Sequence, residues 1–349
     1  MTSSLDDAVA RVLDDGIAQR IAPGACVEVG TSTRAMASVS RGRLTYDDDA
    51  RPVDGDTIFD LASLTKVLAT APLVMQAVER GTLGLDDLVA DHVAEWRSRE
   101  DTSTTIRDLL AHRSGLPAHR RYFETLTGEA AFTTAICREP FEYAPRAQAV
   151  YSDLGFILLG VILGGGQALD AGLASVLAQA QVVDPLQYCP PALWRHRIAP
   201  TSRDPWRGRL LVAEVEDENA SALGGRAAHA GLFGTASAVG ACARHLLQVL
   251  SGRTGAFSRA TLEAFIAPDG TPGSSRALAW DTMRTTSSCG ERMSARAFGH
   301  TGFTGTSLWI DPERDVYVVF LSNRVHPDRA DRGIQAWRRR LHDAVFEEL

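Results

Sequence analysis

Lysine is almost missing from this 349-residue chain: of its 36 basic residues, only Lys66 is a lysine and the rest are arginine. Cysteine is sparse as well. The five present (Cys26, Cys137, Cys189, Cys242 and Cys289) are odd in number, scattered, and form no C-x-x-C pair, which excludes a disulfide framework or a zinc site as the organising device. No apolar run is long enough to span a bilayer; "GFILLGVILGGG" has about half the required length. The opening "MTSSLDDAVARVLDDG" carries acidic residues where a secretory signal would have an apolar core. An excess of positive charge is absent too. The formal charge is −7, which argues against nucleic acid or an anionic membrane as the main partner. The expectation is a cytoplasmic globular protein, and 45% hydrophobic with 23% charged residues fits one.

Strand signals lie at both ends of the chain and helical signals fill the middle. Residues 3–20 place apolar positions at helical spacing; "ACVEVG" and "RAMASVSRG" then alternate as two strands around the turn 30–33. A long helical pattern runs from Ser63 to about Arg80, with Pro72 expected to kink it or remove one hydrogen bond and Gly81 to stop it. "TIRDLLAH", capped by Thr104 or Thr105, "LGFILLGVIL" and "LDAGLASVLAQAQ" continue the helical middle. Residues 184–208, with five prolines, read as an irregular crossing. After the helix "ASAVGACARHLLQVL" come "ARAFGHTG", "GTSLWIDP" and "DVYVVFLSN" as strands, the last two a hairpin, and a terminal helix near 332–348. The fold class is therefore α/β of the α+β kind: a mixed, mainly antiparallel sheet built from both chain ends, flanked by helices. The chain reads as one domain over 1–349. Its α/β subdomain takes about 1–80 and 205–349, and an all-helical inserted subdomain takes about 81–204.

The lone lysine stands three residues after Ser63 in "DLASLTKVLAT", so the two share one helical face. A serine hydroxyl is a weak nucleophile without an adjacent base, and lysine, unlike arginine, can shed its proton to become one. A helix start would disfavour a proton on Lys66 and offer N–H groups to an oxyanion. Read by itself the pair is a helix cap and a surface charge. Two further short motifs alter that reading: Tyr151 and Asp153 in "YSDLGF", and His300-Thr301-Gly302 in "HTGFTGTS", which follow in order at roughly 90 and 150 residues' separation.

With these three motifs, and with "FDLASLTK", "LLAHRSGLP", "HAGLFGTA" and "GHTGFTGTSLWIDP", the chain resembles the penicillin-recognising serine hydrolases, specifically the class C β-lactamase-related group that includes esterases and DD-peptidases. The resemblance spans about 59 to 325 and implies a β-lactamase/transpeptidase-like fold with the site between the subdomains. It implies Ser63 as the acylated nucleophile, Lys66 as its proton acceptor, and Tyr151 assisting proton transfer. It also implies an oxyanion hole from the N–H groups of Ser63 and Phe303, and a substrate wall from His300, Thr301 and Gly302. His229 in "HAGLF" borders the site in such relatives, and Asp153 occupies a substrate-binding position. No metal or other cofactor is implied, and the partner is a small-molecule ester or amide.

Two positions depart from the family pattern. His300 stands where lysine is usual and would help hold an anionic substrate; Asp153 stands where asparagine is usual, and its carboxylate would favour a charged Lys66. Both departures point toward neutral esters or amides. The expected activity is a carboxylesterase or peptidase-like hydrolase, with a β-lactamase or DD-peptidase, a transesterase, and a weakly catalytic binding or sensor protein as alternatives. No G-x-S-x-G elbow, Walker loop or H-E-x-x-H competes. "EVEDEN" (214–219) reads as a solvated loop rather than a metal cluster, and His112 as structural.

Overall fold

The computed structural model describes residues 4–349, so Ser3, at the start of the first helical pattern, lies outside it. Six strands form the main sheet, in the spatial order Ala35–Gly42, Gly24–Gly30, Val316–Ser322, Ser307–Asp311, Phe298–Thr301 and Asp281–Thr282. All neighbours are antiparallel. The first and last strands of the sequence thus meet at the centre, with Val27 opposite Phe320 and Val29 opposite Val318.

The central strands are apolar on both faces because both faces are covered. Val27, Val29, Val318 and Phe320 point to one side, where the N-terminal helix Ser4–Ala18 and the C-terminal helix Ile334–Glu347 pack. Cys26, Tyr317, Val319 and Leu321 point to the other, into the larger core beneath the helix Ala236–Leu250. The two-residue alternation of a strand therefore feeds two separate cores. The terminal helices are locked together: Trp337 Nε1 donates to the Val12 carbonyl at 2.8 Å, and a Cβ at Gly16 would fall 2.0 Å from the Trp337 ring. Only glycine fits there.

The helical middle follows the sequence signals closely. Thr105 caps Ile106–Leu110 in a reciprocal capping box with Asp108, and Ser152 caps Asp153–Ile162. That helix meets Gly165–Gln179 at 82°, and among the described residues no single helix is long and apolar enough to cross a membrane. The pattern from Ser63 to Arg80 is helical throughout but not uniformly α. A 3-10 turn, Ala62–Leu64, leads through a π turn, Lys66–Thr70, into the α-helix Ala71–Glu79. Pro72 sits in the first turn of that α-helix, where its missing N–H costs nothing. Gly81 follows the end at φ +66°.

A second sheet, which the sequence signals do not reveal, matters most for the site. Its strands are Phe59–Asp60, Leu232–Gly234 and Leu186–Tyr188. Each has two or three residues, too few for periodicity to register.

Candidate active site

Ser63 lies immediately after the first strand of that small sheet, on a turn fixed from several directions. The Leu61 N–H donates to the Leu232 carbonyl at 2.9 Å, continuing the pairing of Phe59–Asp60 with the middle strand. Asp60 is buried and accepts the N–H of Ala62 at 2.8 Å and of Glu216 at 2.6 Å. Burial, opposed by those two bonds, pushes its carboxyl up to about 7. Thr304 and Thr306 hydroxyls donate to the carbonyls of Asp60 (2.6 Å) and Leu61 (3.0 Å), stapling the 302–306 turn to the serine turn. Ala62 takes φ +47°, an unfavourable region for a residue with a Cβ. This strain sits one residue before the serine.

Lys66 is fully buried, and its ammonium has three acceptors: Ser63 Oγ at 3.0 Å, Asp153 Oδ1 at 2.7 Å and the His229 carbonyl at 2.9 Å. Asp153 and the carbonyl can only accept, so two lysine hydrogens are committed to them. The Ser63 contact can run either way. A neutral Lys66 would keep both other bonds and turn its lone pair to the Ser63 hydroxyl. At rest, however, the lysine is charged. Burial works against that charge, but Asp153 and then Tyr151 outweigh it and raise Lys66 above the ordinary lysine range. The helix start does not produce a resting neutral amine, because a carboxylate at 2.7 Å is a stronger influence than the partial charge of a helix end. The charge of Asp153 is correspondingly spent on Lys66 and does not stand before the cavity as an unpaired anion.

Tyr151 lies across from this pair. Its ring centroid is 4.9 Å from Lys66 Nζ, and its buried hydroxyl makes no hydrogen bond of good geometry, although Lys66 and Ser63 are near enough to act on its titration. Burial raises it, with Lys66 pulling the other way, so the phenol is protonated at neutral pH. His112, read as structural from sequence, lies tilted against this ring at 4.6 Å and accepts the Ser152 N–H on Nδ1 at 3.0 Å, which places its own proton on Nε2. His300 sits at 5.7 Å on the ring and gives its Nδ1 proton to the Thr301 carbonyl at 2.8 Å. Burial first, then the charges of Arg276 and Lys66, holds both imidazoles well below the usual histidine range. Both are neutral.

The arrangement opens onto a cavity of about 340 Å³ whose wall includes Ser63, Tyr151, Asp153 and Phe303. The N–H groups of Ser63 and Phe303 make no hydrogen bond among the described residues. Behind the Phe303 turn, Arg338 of the C-terminal helix reaches in, fully buried, and donates to the carbonyls of Gly302 (2.8 Å) and Thr306 (2.7 Å). In a trans peptide the C=O and the following N–H point opposite ways. Anchoring the Gly302 carbonyl to Arg338 therefore turns the Phe303 N–H away from the helix. Gly302 is glycine for want of room: a Cβ there would meet Thr306 Oγ1 at 2.0 Å and the Leu61 carbonyl at 2.6 Å.

The structure thus brings Ser63, Lys66, Tyr151, Asp153 and Phe303 together, with His300 behind Tyr151. His229 belongs by its backbone rather than its ring. Its carbonyl accepts from Lys66, while its side chain is buried and pairs with Asp217 Oδ1 at 2.9 Å. The segment 214–219 is not the solvated loop its composition suggests. Glu216 is buried, bound by Ser202 and Arg329, and Asp217 and Glu218 join it on the cavity wall. Among the described residues no group of three or more His, Cys, Asp or Glu is placed to hold a metal ion. The sequence motifs assign no role to Asp60, Thr304, Thr306 or Arg338, although Asp60 stands inside "FDLASLTK" and the two threonines inside "HTGFTGTS".

The β-lactamase family model matches residues 9–341. A putative D-alanyl-D-alanine carboxypeptidase of Escherichia coli O157:H7 is 30% identical over 320 residues, covering 81% of this chain and 73% of its own. Among solved structures, EstCE1, a hydrolase with promiscuous acyltransferase activity, superposes with a TM-score of 0.76 at 18% identity over 98% of both chains. A class C β-lactamase from Rhodobacter sphaeroides gives 0.76 at 18% identity over 98% of this chain and 99% of its own. The antiparallel sheet with flanking helices is the β-lactamase/transpeptidase-like fold, and this chain belongs to the β-lactamase family of serine hydrolases.

Proposed function

We propose that this protein forms an acyl-enzyme on Ser63 and hydrolyses a small ester or amide. The observation that carries the reading is the convergence at one cavity of a serine hydroxyl 3.0 Å from a buried lysine and two unbonded backbone N–H groups. Lys66 first passes one proton to Asp153, and the neutral amine then takes the Ser63 proton as the hydroxyl attacks the substrate carbonyl. Lys66 ends as it began, an ammonium. The oxyanion that forms is received by the N–H groups of Ser63 and Phe303. Tyr151, protonated at rest, gives its proton to the leaving group and is reprotonated from Asp153 through Lys66, which balances the acylation half. Water, or an acceptor alcohol if the enzyme transfers acyl groups, then takes the place of the leaving group.

Intact-mass analysis after exposure to a fluorophosphonate tests this directly. One adduct, on the peptide carrying Ser63, is expected; an unmodified protein would favour a binding or sensor role.

A second reading, cleavage of a substrate bearing a carboxylate on the leaving side, rests on Arg276. Its guanidinium lies 5.0 Å from the Tyr151 ring centroid and has no carboxylate partner among the described residues. It stands on the side of Tyr151 where the unusual His300 packs, so a cation is available there although the strand motif lacks lysine. This supports a peptide C-terminus or a β-lactam carboxylate as a ligand, against the preference for neutral substrates drawn from sequence. Arg276→Gln should lower kcat/KM for nitrocefin relative to a neutral nitrophenyl ester by about tenfold, a charge contact in a half-wet pocket. An unchanged ratio would return the reading to neutral esters.

A further inference from the structure

One wall of the cavity is rich in carboxylates. Asp153, Glu216, Asp217 and Glu218 line it. Lys66 answers Asp153, and Arg329 is shared between Glu216 at 2.7 Å and Glu218 at 2.6 Å. Among the described residues no Arg or Lys pairs with Asp217: the titratable groups that face it are His229 and His119, the latter also on the cavity wall 4.0 Å from Asp153. Asp217 Oδ1 is occupied by His229 Nε2 at 2.9 Å and by the Ala220 N–H at 2.7 Å. Its Oδ2 has no partner among the described residues, and the side chain is 23% exposed, on the cavity side. Burial opposes its charge, but His229 and the helix N–H more than compensate and hold the carboxylate well below the usual range.

Acidic side chains alone would not make a ligand site. Here they share the cavity with Ser63 and with the buried, unpartnered hydroxyl of Tyr151. Under the proposed chemistry the leaving group must touch Tyr151, on the flank held by His300 and Arg276. Asp217 and Glu218 have no contact with that flank, which leaves them to the acyl part of the substrate.

We propose that Asp217 receives an ammonium group on the acyl part, making this enzyme selective for unblocked amino-acyl esters or amides over their N-acylated counterparts. The inference rests on the acyl-enzyme reading above. A neutral amide in place of the ammonium leaves Oδ2 facing a group that cannot pay for its desolvation, and an N-acyl group also fills the space beside it.

The test compares kcat/KM for alanine 4-nitroanilide with its N-acetyl derivative, in both enantiomers, for wild type and Asp217→Asn. Asparagine caps the helix Glu218–Ala222 as well as aspartate does, so the local fold is kept. Wild type should favour the free amine by at least ~10-fold at pH 7, and Asp217→Asn should bring the ratio close to one. A readout that needs no variant is pH. Raising it through the α-amine pKa of about 8 should erase the wild-type preference, with the acetylated substrate as the reference. A ratio unmoved by Asp217→Asn, a ratio unmoved by pH, or a wild-type preference for the acetylated substrate would each overturn the inference while leaving Ser63 labelling intact. Absence of both turnover and labelling would take down the hydrolase reading with it.

Discussion

Ser63→Ala is expected to abolish fluorophosphonate labelling and to lower turnover of any productive substrate by at least ~10⁴-fold, the scale seen when a serine nucleophile is removed. Its melting temperature should stay close to that of the wild type. The hydroxyl caps no helix: the residue in the cap position is Leu61, with no side-chain cap bond. The change costs one hydrogen bond to Lys66, which keeps Asp153 and the His229 carbonyl as acceptors. The loss is on the order of 1 kcal/mol. Activity comparable to wild type in a folded Ser63→Ala protein would move the nucleophile elsewhere.

Lys66→Arg should be nearly as severe for a different reason. Arginine keeps the positive charge but cannot give and regain a proton at working pH, so acylation should fall by at least ~100-fold, the low end of general-base contributions. The partner change separates relay from simple electrostatics. In Asp153→Asn the largest force raising Lys66 is gone, and burial lowers it against Tyr151 alone. The relay then lacks its acceptor, so acylation at pH 7 should drop by ~100-fold, but it should climb with pH as the newly neutral lysine takes the serine proton directly. Stopped-flow acylation with a nitrophenyl ester between pH 6 and 10 reads both effects. Full activity of Asp153→Asn at pH 7 would show that Asp153 only holds the lysine. The sign for stability follows from the same shift. Because Lys66 is raised in the folded state, its pairing with ionised Asp153 stabilises the protein below the ordinary lysine value of 10.5, and on the alkaline side that stabilisation is lost as pH rises through the raised value.

The large elements were legible because they are long and periodic. The central strands, the helix Ala236–Leu250 and the terminal helices fall within a few residues of the patterns that announce them. The order of three short motifs likewise led to the residues gathered at the cavity. Three classes of feature were not legible. Strands of two or three residues, such as Phe59–Asp60 and Leu232–Gly234, are defined by their partners and not by any pattern of their own. The charge state of Lys66 depends on a carboxylate 87 residues away in sequence, and only the fold sets their distance. The acidic segment 214–219 has the composition of a solvated loop, yet Ser202, Arg329 and Asp60 draw Glu216 inward. Composition describes what a segment can tolerate; the neighbours decide where it goes.

Arg338 gives the site a dependence on order of assembly. A chain made only as far as the strand Val316–Ser322 already holds every motif residue, the serine turn, and the threonines that staple it to the 302–306 turn. It lacks the guanidinium that turns the Phe303 N–H away from the C-terminal helix, because that arrives with the helix Ile334–Glu347. On the proposed chemistry such a chain would have a nucleophile and no place to put the charge it creates. During synthesis the protein would stay silent until its last helix docks against its first, and a protease that clips that helix would switch it off without approaching the serine.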